Sequence, residues 1–371
     1  MRSAVFVSLV IFTWFAVGAN AEAQRPEDSP WERPLETCWT FDAPAMSSVP
    51  LASDNVSTVF LPQTPARIIA LSLLSGDTFW TVETSGSIIS PPLPNGSKVV
   101  VYSTVLNEDG SSSYRSAAID SLSGVSLSGF PLNGERVTDT EPFGTGLLML
   151  IGTDVLRLAD ETGIRWERVF SEVGLSGISR SGPHVFAWSE KGHVILIDGD
   201  TGSAVLRFIL PSIPSGAFAV RGEKMYAGSS AGTVFSVDRR DGEIGWSSRT
   251  GGTIDALEAE EDGVLAISRD NFVYFLADGN GSRIWKRRLS GRIIGSTKVG
   301  NTSHAFLAYG SNDVVVLNTL DGKPVNSYRI ESADYFSGAP VYAGGYLLVP
   351  FDSGLAALAP KGLCKKKKDG Q

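Results

Sequence analysis

A motif that returns about every 40 residues limits the folds available to this chain. Its best copy covers residues 232–246 (GTVFSVDRRDGEIGW) and predicts a strand, a tight turn and a second strand. Asp238 can accept hydrogen bonds from the turn backbone, and Gly242 can adopt the positive φ that such a turn demands. Trp246 follows the turn glycine by four residues, on the second strand.

Glycines at the equivalent turn position divide the chain into units of similar length. The steps between them are 48, 39, 39, 40, 39 and 41 residues, and the long first step contains a hydrophilic insertion at residues 106–113. Such a constant spacing indicates a repeat architecture in which each unit is one small structural module. The turn glycines are Gly76, Gly124, Gly163, Gly202, Gly242, Gly281 and Gly322.

Each unit holds about four short apolar strands, and helical periodicity is sustained nowhere, which excludes a solenoid of helix pairs. Seven turn glycines give seven units. Residues 345–360 supply further strands but end before a tryptophan strand, whereas residues 38–41 at the other end contain the unmatched Trp39. We therefore predict an all-β fold, a single eight-bladed β-propeller closed by pairing of the N-terminal and C-terminal strands.

The two cysteines of the chain lie at its two ends. Cys38 adjoins Trp39, and Cys364 follows the last predicted strand. In an exported protein such a pair predicts a disulfide, here one that would pin the closing blade. Two free thiols are the alternative that the sequence leaves open.

The N-terminus predicts a secretory signal peptide over residues 1–21, since a short basic start precedes an apolar run at 4–17 and small residues suited to cleavage. A retained signal anchor is the alternative. No later stretch reaches the roughly 18 apolar residues that span a bilayer, so we expect an exported periplasmic or extracellular protein that does not span a membrane. The remaining predicted boundaries are an exposed linker at 22–36, the propeller at 37–360 and a basic tail at 361–371.

The ionisable residues predict neither an active site nor a metal site. A net charge of -8 argues against nucleic acid as a partner, because binding phosphates requires positive charge. His184, His193 and His304 are expected at blade surfaces or hairpin ends, and no two have the spacing of metal ligands. The acidic stretch at residues 258–262 is interpreted as a solvated loop. No residues that would catalyse a reaction are assigned.

A short basic stretch follows Trp285 and comprises Lys286, Arg287, Arg288 and Arg292. On an acidic protein such a patch could receive an acidic partner. Ordinary balance of surface charge is the alternative interpretation.

The motif at residues 232–246 is similar to the pyrroloquinoline-quinone (PQQ) type propeller repeat, and the resemblance extends from residue 37 to about 360. It implies that the strand tryptophans dock neighbouring blades and do not stack on a ligand. In length and blade number the chain resembles the propeller scaffold lipoproteins of the bacterial outer-membrane β-barrel assembly machine, but it lacks their lipid-accepting cysteine. The implied blade-docking residues are Trp39, Trp80, Trp166, Trp246 and Trp285.

These observations predict a non-enzymatic, monomeric, exported scaffold that presents a propeller surface to protein partners, with envelope protein assembly as the role that the resemblance implies. No cofactor is expected, since the adjacent cysteines that lie over PQQ in the quinoprotein dehydrogenases are missing. Two alternatives remain open. One is a PQQ- or metal-dependent oxidoreductase with a site on the propeller axis, and the other is a surface ligand-binding or adhesion module.

Overall fold

The computed structural model describes residues 29–43, 47–132 and 136–364, which form 33 strands and a 3-10 helix at Pro30–Glu32. The predicted signal peptide, the first part of the predicted linker and residues 365–371 of the basic tail lie outside the described residues. Within the described ranges, no helix has the length and apolar character needed to cross a membrane.

The strands are short and antiparallel to their neighbours, as expected for a chain punctuated by turn glycines every 40 residues or so. They are β1 (Leu35–Asp42), β2 (Ala52–Ser53), β3 (Thr58–Gln63), β4 (Arg67–Ser72), β5 (Thr78–Glu83), β6 (Ser87–Ile88), β7 (Leu93–Asn95), β8 (Lys98–Leu106), β9 (Ser112–Asp120), β10 (Ser126–Leu132), β11 (Val137–Phe143), β12 (Gly146–Ile151), β13 (Val155–Asp160), β14 (Gly163–Val169), β15 (Gly177–Ser181), β16 (His184–Trp188), β17 (His193–Asp198), β18 (Ala204–Ile209), β19 (Pro214–Arg221), β20 (Lys224–Ser229), β21 (Thr233–Asp238), β22 (Ile244–Arg249), β23 (Ile254–Ala259), β24 (Gly263–Ser268), β25 (Phe272–Ala277), β26 (Arg283–Arg288), β27 (Ile293–Lys298), β28 (Ser303–Ala308), β29 (Asp313–Asn318), β30 (Pro324–Arg329), β31 (Val341–Ala343), β32 (Tyr346–Phe351) and β33 (Gly354–Pro360).

These strands form eight sheets, which we number as blades. Blade 1 is β2–β5, blade 2 is β6–β10, blade 3 is β11–β14, blade 4 is β15–β18, blade 5 is β19–β22, blade 6 is β23–β26, blade 7 is β27–β30, and blade 8 is β31–β33 together with β1. The first strands of several neighbouring blades contact one another, so the first strand of a blade is innermost and the last is outermost. The prediction of an all-β, eight-bladed β-propeller is confirmed.

Blade 8 joins the two ends of the chain. Strand β1 pairs antiparallel with β33, from Leu35 opposite Pro360 to Asp42 opposite Gly354. The predicted closure by pairing of the terminal strands is therefore confirmed. Cys38 and Cys364 form a disulfide with their Cα atoms 5.4 Å apart, which links the closing strand to the end of the described chain.

The core of the described residues consists of eight hydrophobic clusters, and each cluster fills the seam between two neighbouring blades. The middle strands supply most of these side chains, and every residue of β24 and β32 is buried. A blade alone would expose both faces of its sheet, so burial requires neighbours on both sides. The seams therefore hold the ring together.

The ring has two faces. Because strands alternate in direction, the connections from first to second strand and from third to fourth strand lie on one side, which we call the turn face. The remaining connections lie on the opposite side, the crossover face. The insertion at residues 106–113 lengthens β8 and β9 to nine residues each on the crossover face. Pro34 and Lys361 are joined by a backbone hydrogen bond of 2.7 Å, so β1 begins and β33 ends side by side on the turn face.

Two residues of the predicted exposed linker, Trp31 and Leu35, are part of the core. Trp31 is 3% exposed within the 3-10 helix, and its ring meets that of Tyr342 edge-on at 5.7 Å. Asn326 donates a hydrogen bond of 3.1 Å to the Trp31 carbonyl. The prediction that residues 22–36 form an exposed linker is wrong at Trp31 and Leu35, because both apolar side chains are buried in the seam between blades 7 and 8.

Candidate functional site

Five tryptophans occupy equivalent places at the blade seams. Each lies on the outermost strand of one blade, with its indole against the turn glycine of the next blade. These glycines have φ between +67° and +73°, and a Cβ added to any of them would collide with the indole. The pairs are Trp39–Gly76, Trp80–Gly124, Trp166–Gly202, Trp246–Gly281 and Trp285–Gly322.

The polar edge of each indole is also engaged by the next blade. Every one of these Nε1 atoms donates a hydrogen bond of 2.8–3.0 Å to a backbone carbonyl of the neighbouring turn. A buried indole N–H requires such an acceptor. The acceptors are the carbonyls of Leu73, Ser121, Gly199, Asp278 and Thr319. In this arrangement each of the five indoles makes its glycine contact and its N–H hydrogen bond with the neighbouring blade.

The three remaining seams use aromatic residues that the sequence analysis did not assign. Phe130 lies against Gly163, Phe208 lies against Gly242, and the hydroxyl of Tyr328 is hydrogen-bonded to Thr37 Oγ1 of blade 8 at 2.8 Å. Phe130, Phe208 and Tyr328 each follow their own turn glycine by six residues instead of four. Side chains two residues apart share a strand face, so these rings can still reach the seam.

Charged side chains connect the innermost strands near the propeller axis. On blade 3, Glu141 lies 3.3 Å from the guanidinium of Arg180 on blade 4, and Asp139 Oδ2 accepts a hydrogen bond of 2.9 Å from Ile178 N. Burial raises the pKa of Glu141 to about 7, with Asp139 adding to the rise and Arg180 opposing it. The pKa of Asp139 is also raised, chiefly by burial. Glu141 therefore gains a proton as pH falls through neutrality.

The seam between blades 6 and 7 holds a polar cluster that we call the Glu–His cluster, formed by Glu258, Glu260 and His304. His304, on β28, is fully buried, and its Nε2 lies 2.5 Å from Glu258 Oε2 and 3.6 Å from Glu260 Oε1. His304 Nδ1 has no hydrogen-bond partner among the described residues. One donor atom from each of the three residues lies within 4.8 Å of the others, as metal ligands do.

The outer oxygens of the two carboxylates are held by blade 7. Ser296 donates a hydrogen bond of 2.8 Å to Glu258 Oε1, and Lys298 Nζ lies 2.6 Å from Glu260 Oε2. Burial acts to raise the pKa of Glu258, but hydrogen bonds from His304 and Ser296 and the charges of His304 and Lys298 outweigh it, so this pKa is lowered. The inner oxygens of Glu258 and Glu260 are thereby left facing the imidazole.

A cavity of about 500 Å³ adjoins the cluster on the turn face. Glu260 and Lys298 form part of its wall, together with Arg221 and the loop at residues 301–302. The Arg221 guanidinium donates a hydrogen bond to the backbone carbonyl of Glu260. Charges of both signs thus line an open pocket at this seam, and Glu260 is the residue of the Glu–His cluster that forms part of its wall.

Two sequence interpretations are wrong at this seam. His304 is not at a surface or hairpin end, because its ring is enclosed between two blades. The stretch 258–262 is not simply a solvated loop, since the Glu258 and Glu260 side chains are only 32% and 13% exposed. His184 and His193 lie half-buried on blade 4, where the described residues place no comparable group around them.

The basic stretch after Trp285 is divided among separate contacts. Lys286 lies over the Phe272 ring at 4.8 Å, whereas Arg287 donates a hydrogen bond of 2.8 Å to the Gly322 carbonyl. Arg292 lies 3.3 Å from Asp255. Because alternate residues of a strand face opposite sides, the four cations do not form one patch.

Comparison with known proteins identifies one matching protein family. The sequence model of the family described as outer membrane protein assembly factor BamB matches residues 32–127, 152–280 and 190–359. No curated protein matches the chain.

Three solved structures have a similar fold at low sequence identity. The computationally designed Ika8 protein has a TM-score of 0.69 and 14% identity, over 87% of this chain and 99% of its own. BamB from Moraxella catarrhalis has a TM-score of 0.66 and 14% identity, over 88% and 99%. The C-terminal WD40 domain of Sif2 has a TM-score of 0.63 and 12% identity, over 89% and 99%. At these identities the likeness is one of fold.

Proposed function

The chain belongs to the family of outer membrane protein assembly factor BamB, and from this premise we propose that it is a non-enzymatic scaffold that binds protein partners during assembly of envelope proteins. The observation that carries the proposal is the family match, which extends over most of an eight-bladed ring. A closed ring of this kind leaves only the short outer edge of each blade unpaired and presents fixed loops on two faces. Such a surface suits the binding of folded or extended protein partners.

We also propose that the protein works outside the cytoplasm and as a monomer, with residues 1–21 as a signal peptide and residues 37–360 as the working propeller. The disulfide Cys38–Cys364 supports this location, because disulfides persist in oxidising compartments. Each seam is filled by residues of this one chain, which supports a ring that needs no second copy for its closure.

Exposed apolar side chains on the two faces allow the partner surface to be mapped. Leu122 and Leu320 are 79% and 55% exposed in connections of the turn face, whereas Leu106 and Tyr309 are 74% and 69% exposed on the crossover face. A glutamate at these positions changes the surface while leaving the seams intact. The double variant Leu122→Glu/Leu320→Glu therefore alters the turn face. The matched double variant Leu106→Glu/Tyr309→Glu alters the crossover face.

The experiment is affinity capture of partners from envelope extracts with the disulfide-bonded full protein and these two double variants. We expect the wild-type protein to recover components that assemble outer-membrane β-barrels, and one double variant to lose them while the other retains them. Recovery of no such component by the wild-type protein would refute the proposed role. Equal recovery by all three proteins would show that neither chosen surface makes the contact.

A further inference from the structure

His304 occupies a core position that holds an aliphatic residue or methionine in every other blade. It is the second residue of the second strand of its blade, and it pairs with Leu317 on the third strand. The equivalent residue of blade 6, Val264, pairs with Leu276 in the same way. All seven equivalents are aliphatic or methionine and fully buried, namely Val59, Val99, Leu147, Val185, Met225, Val264 and Leu347.

An imidazole at an apolar core position weakens the fold unless something compensates for its burial. Packing of the ring does not require it, because the other seven blades pack at this point with hydrocarbon or thioether side chains. The Glu258 and Glu260 carboxylates of the neighbouring blade nevertheless lie beside this imidazole. Departures from local folding rules of this kind concentrate at functional sites.

The donor atoms have the chemistry and the arrangement of ligands for a transition-metal ion. One imidazole nitrogen and two carboxylate oxygens are ligand types that Zn²⁺ accepts, whereas Ca²⁺ and Mg²⁺ favour oxygen alone. Nε2 of His304 and the inner oxygens of Glu258 and Glu260 face one another, while Ser296 and Lys298 hold the outer oxygens. Outer hydrogen bonds of this type orient carboxylate ligands in metal sites.

We propose that the Glu–His cluster is a binding site for a divalent transition-metal ion, Zn²⁺ by its ligand chemistry, that bridges blades 6 and 7. His304 Nε2, Glu258 and Glu260 supply three ligands, and the cavity on the turn face gives water or a partner group access to the remaining position. Binding moves Glu258 away from its direct hydrogen bond with His304, because two ligands of one Zn²⁺ lie roughly 3.3 Å apart at tetrahedral Zn–N and Zn–O distances. The Lys298 charge makes the site weaker than a closed four-ligand one.

The test is titration of the chelator-treated full protein with Zn²⁺ alone, followed by calorimetry and by competition with a chromogenic chelator. We expect one ion per chain with a dissociation constant of about 10 μM or tighter. His304→Val restores the residue type of the other blades and so retains the core, and Glu258→Gln retains the shape of the ligand. Each should weaken binding at least about tenfold, as loss of a ligand does. His184→Gln, which changes a half-buried histidine elsewhere, should bind like wild type.

Co²⁺ provides a second readout that does not depend on affinity, since its visible absorption reports a nitrogen- and oxygen-ligated site of low coordination number. This absorption should disappear in Glu258→Gln. Absence of Zn²⁺ binding by the wild-type protein, unchanged binding by His304→Val, or tighter binding of Ca²⁺ than of Zn²⁺ would each overturn the proposal. If His304→Val fails to fold, Glu258→Gln and Glu260→Gln decide the question in the same way. Partner capture by these variants is a separate measurement, so the scaffold proposal can fail while the metal site stands.

Discussion

The indole of Trp166 on blade 3 lies against Gly202 in the turn of blade 4. A Cβ on Gly202 would be 2.6 Å from Trp166 Cδ2, and Trp166 Nε1 donates a hydrogen bond of 2.8 Å to the carbonyl of Gly199. The same relationship joins four other pairs of blades. The tryptophan and the glycine thus act as one unit of docking, and substitution of either partner tests it.

Trp166→Ala should lower the free energy of unfolding by about 3–5 kcal/mol, because the ring is 6% exposed and its removal leaves a cavity in a blade seam. Trp166→Phe should cost less, since it keeps most of the apolar contact and loses the hydrogen bond. Denaturant unfolding monitored by circular dichroism measures both. Ile164→Ala, at a 55% exposed residue of the same strand, is the control and should stay close to wild type. Equal stability of Trp166→Ala and Ile164→Ala would contradict the docking role.

Gly202→Ala should destabilise the protein more than Gly182→Ala. Both glycines have positive φ, +70° and +58°, so an alanine at either is strained by about 1–2 kcal/mol. Only at Gly202 would the new methyl group collide with an indole, since no atom lies within 4 Å of a Cβ at Gly182. We expect the collision to add about 1–3 kcal/mol. Similar unfolding midpoints for the two variants would show that the indole contact contributes nothing.

The overall fold was predictable because the glycine and tryptophan positions used in docking recur within short stretches of the sequence. A turn glycine and a tryptophan four residues later lie within one repeat, as at Gly242 and Trp246, and the spacing of these pairs gives the blade count. Phe130, Phe208 and Tyr328 were not predicted because they lie two residues further along the same strand face. Burial of Trp31 was not predicted because a Pro-rich, charged segment is typical of a linker, whereas the Trp31 ring in it is buried.

The Glu–His cluster was not predicted because its residues come from different blades. Glu258 and His304 are 46 residues apart, and the register between neighbouring blades is not encoded in the spacing of either. The repeats do contain an indication, since His304 stands where Val264 and Met225 stand in neighbouring units. A charged or aromatic residue at a repeat position that is aliphatic in the other units therefore indicates a site more directly than the sequence spacing of ligands does.

Removal of the disulfide by Cys38→Ser with Cys364→Ser should destabilise the protein by about 2–5 kcal/mol, because the bond closes a loop across a sequence separation of 326 residues and restricts the unfolded chain. Unfolding in denaturant with and without a reducing agent measures this effect. The wild-type midpoint should fall on reduction, whereas the double variant should not respond. A reductant-insensitive wild-type protein, shown by mass to be reduced, would contradict the expectation.

Glu141 should make stability fall as pH rises from about 4.5 to about 7. Burial raises its pKa in the folded protein from 4.5 to about 7, so within this window the unfolded chain has lost the proton that the folded protein still holds. Glu141→Gln is neutral at every pH and keeps a polar side chain beside Arg180. The free energy of unfolding of Glu141→Gln, relative to that of wild type, should therefore increase by about 1–3 kcal/mol between pH 4 and pH 8. Denaturant unfolding at several pH values measures the difference, with Glu190→Gln, at an exposed residue of blade 4, as the control. Parallel stability curves for wild type and Glu141→Gln would show that this carboxyl does not titrate in the window.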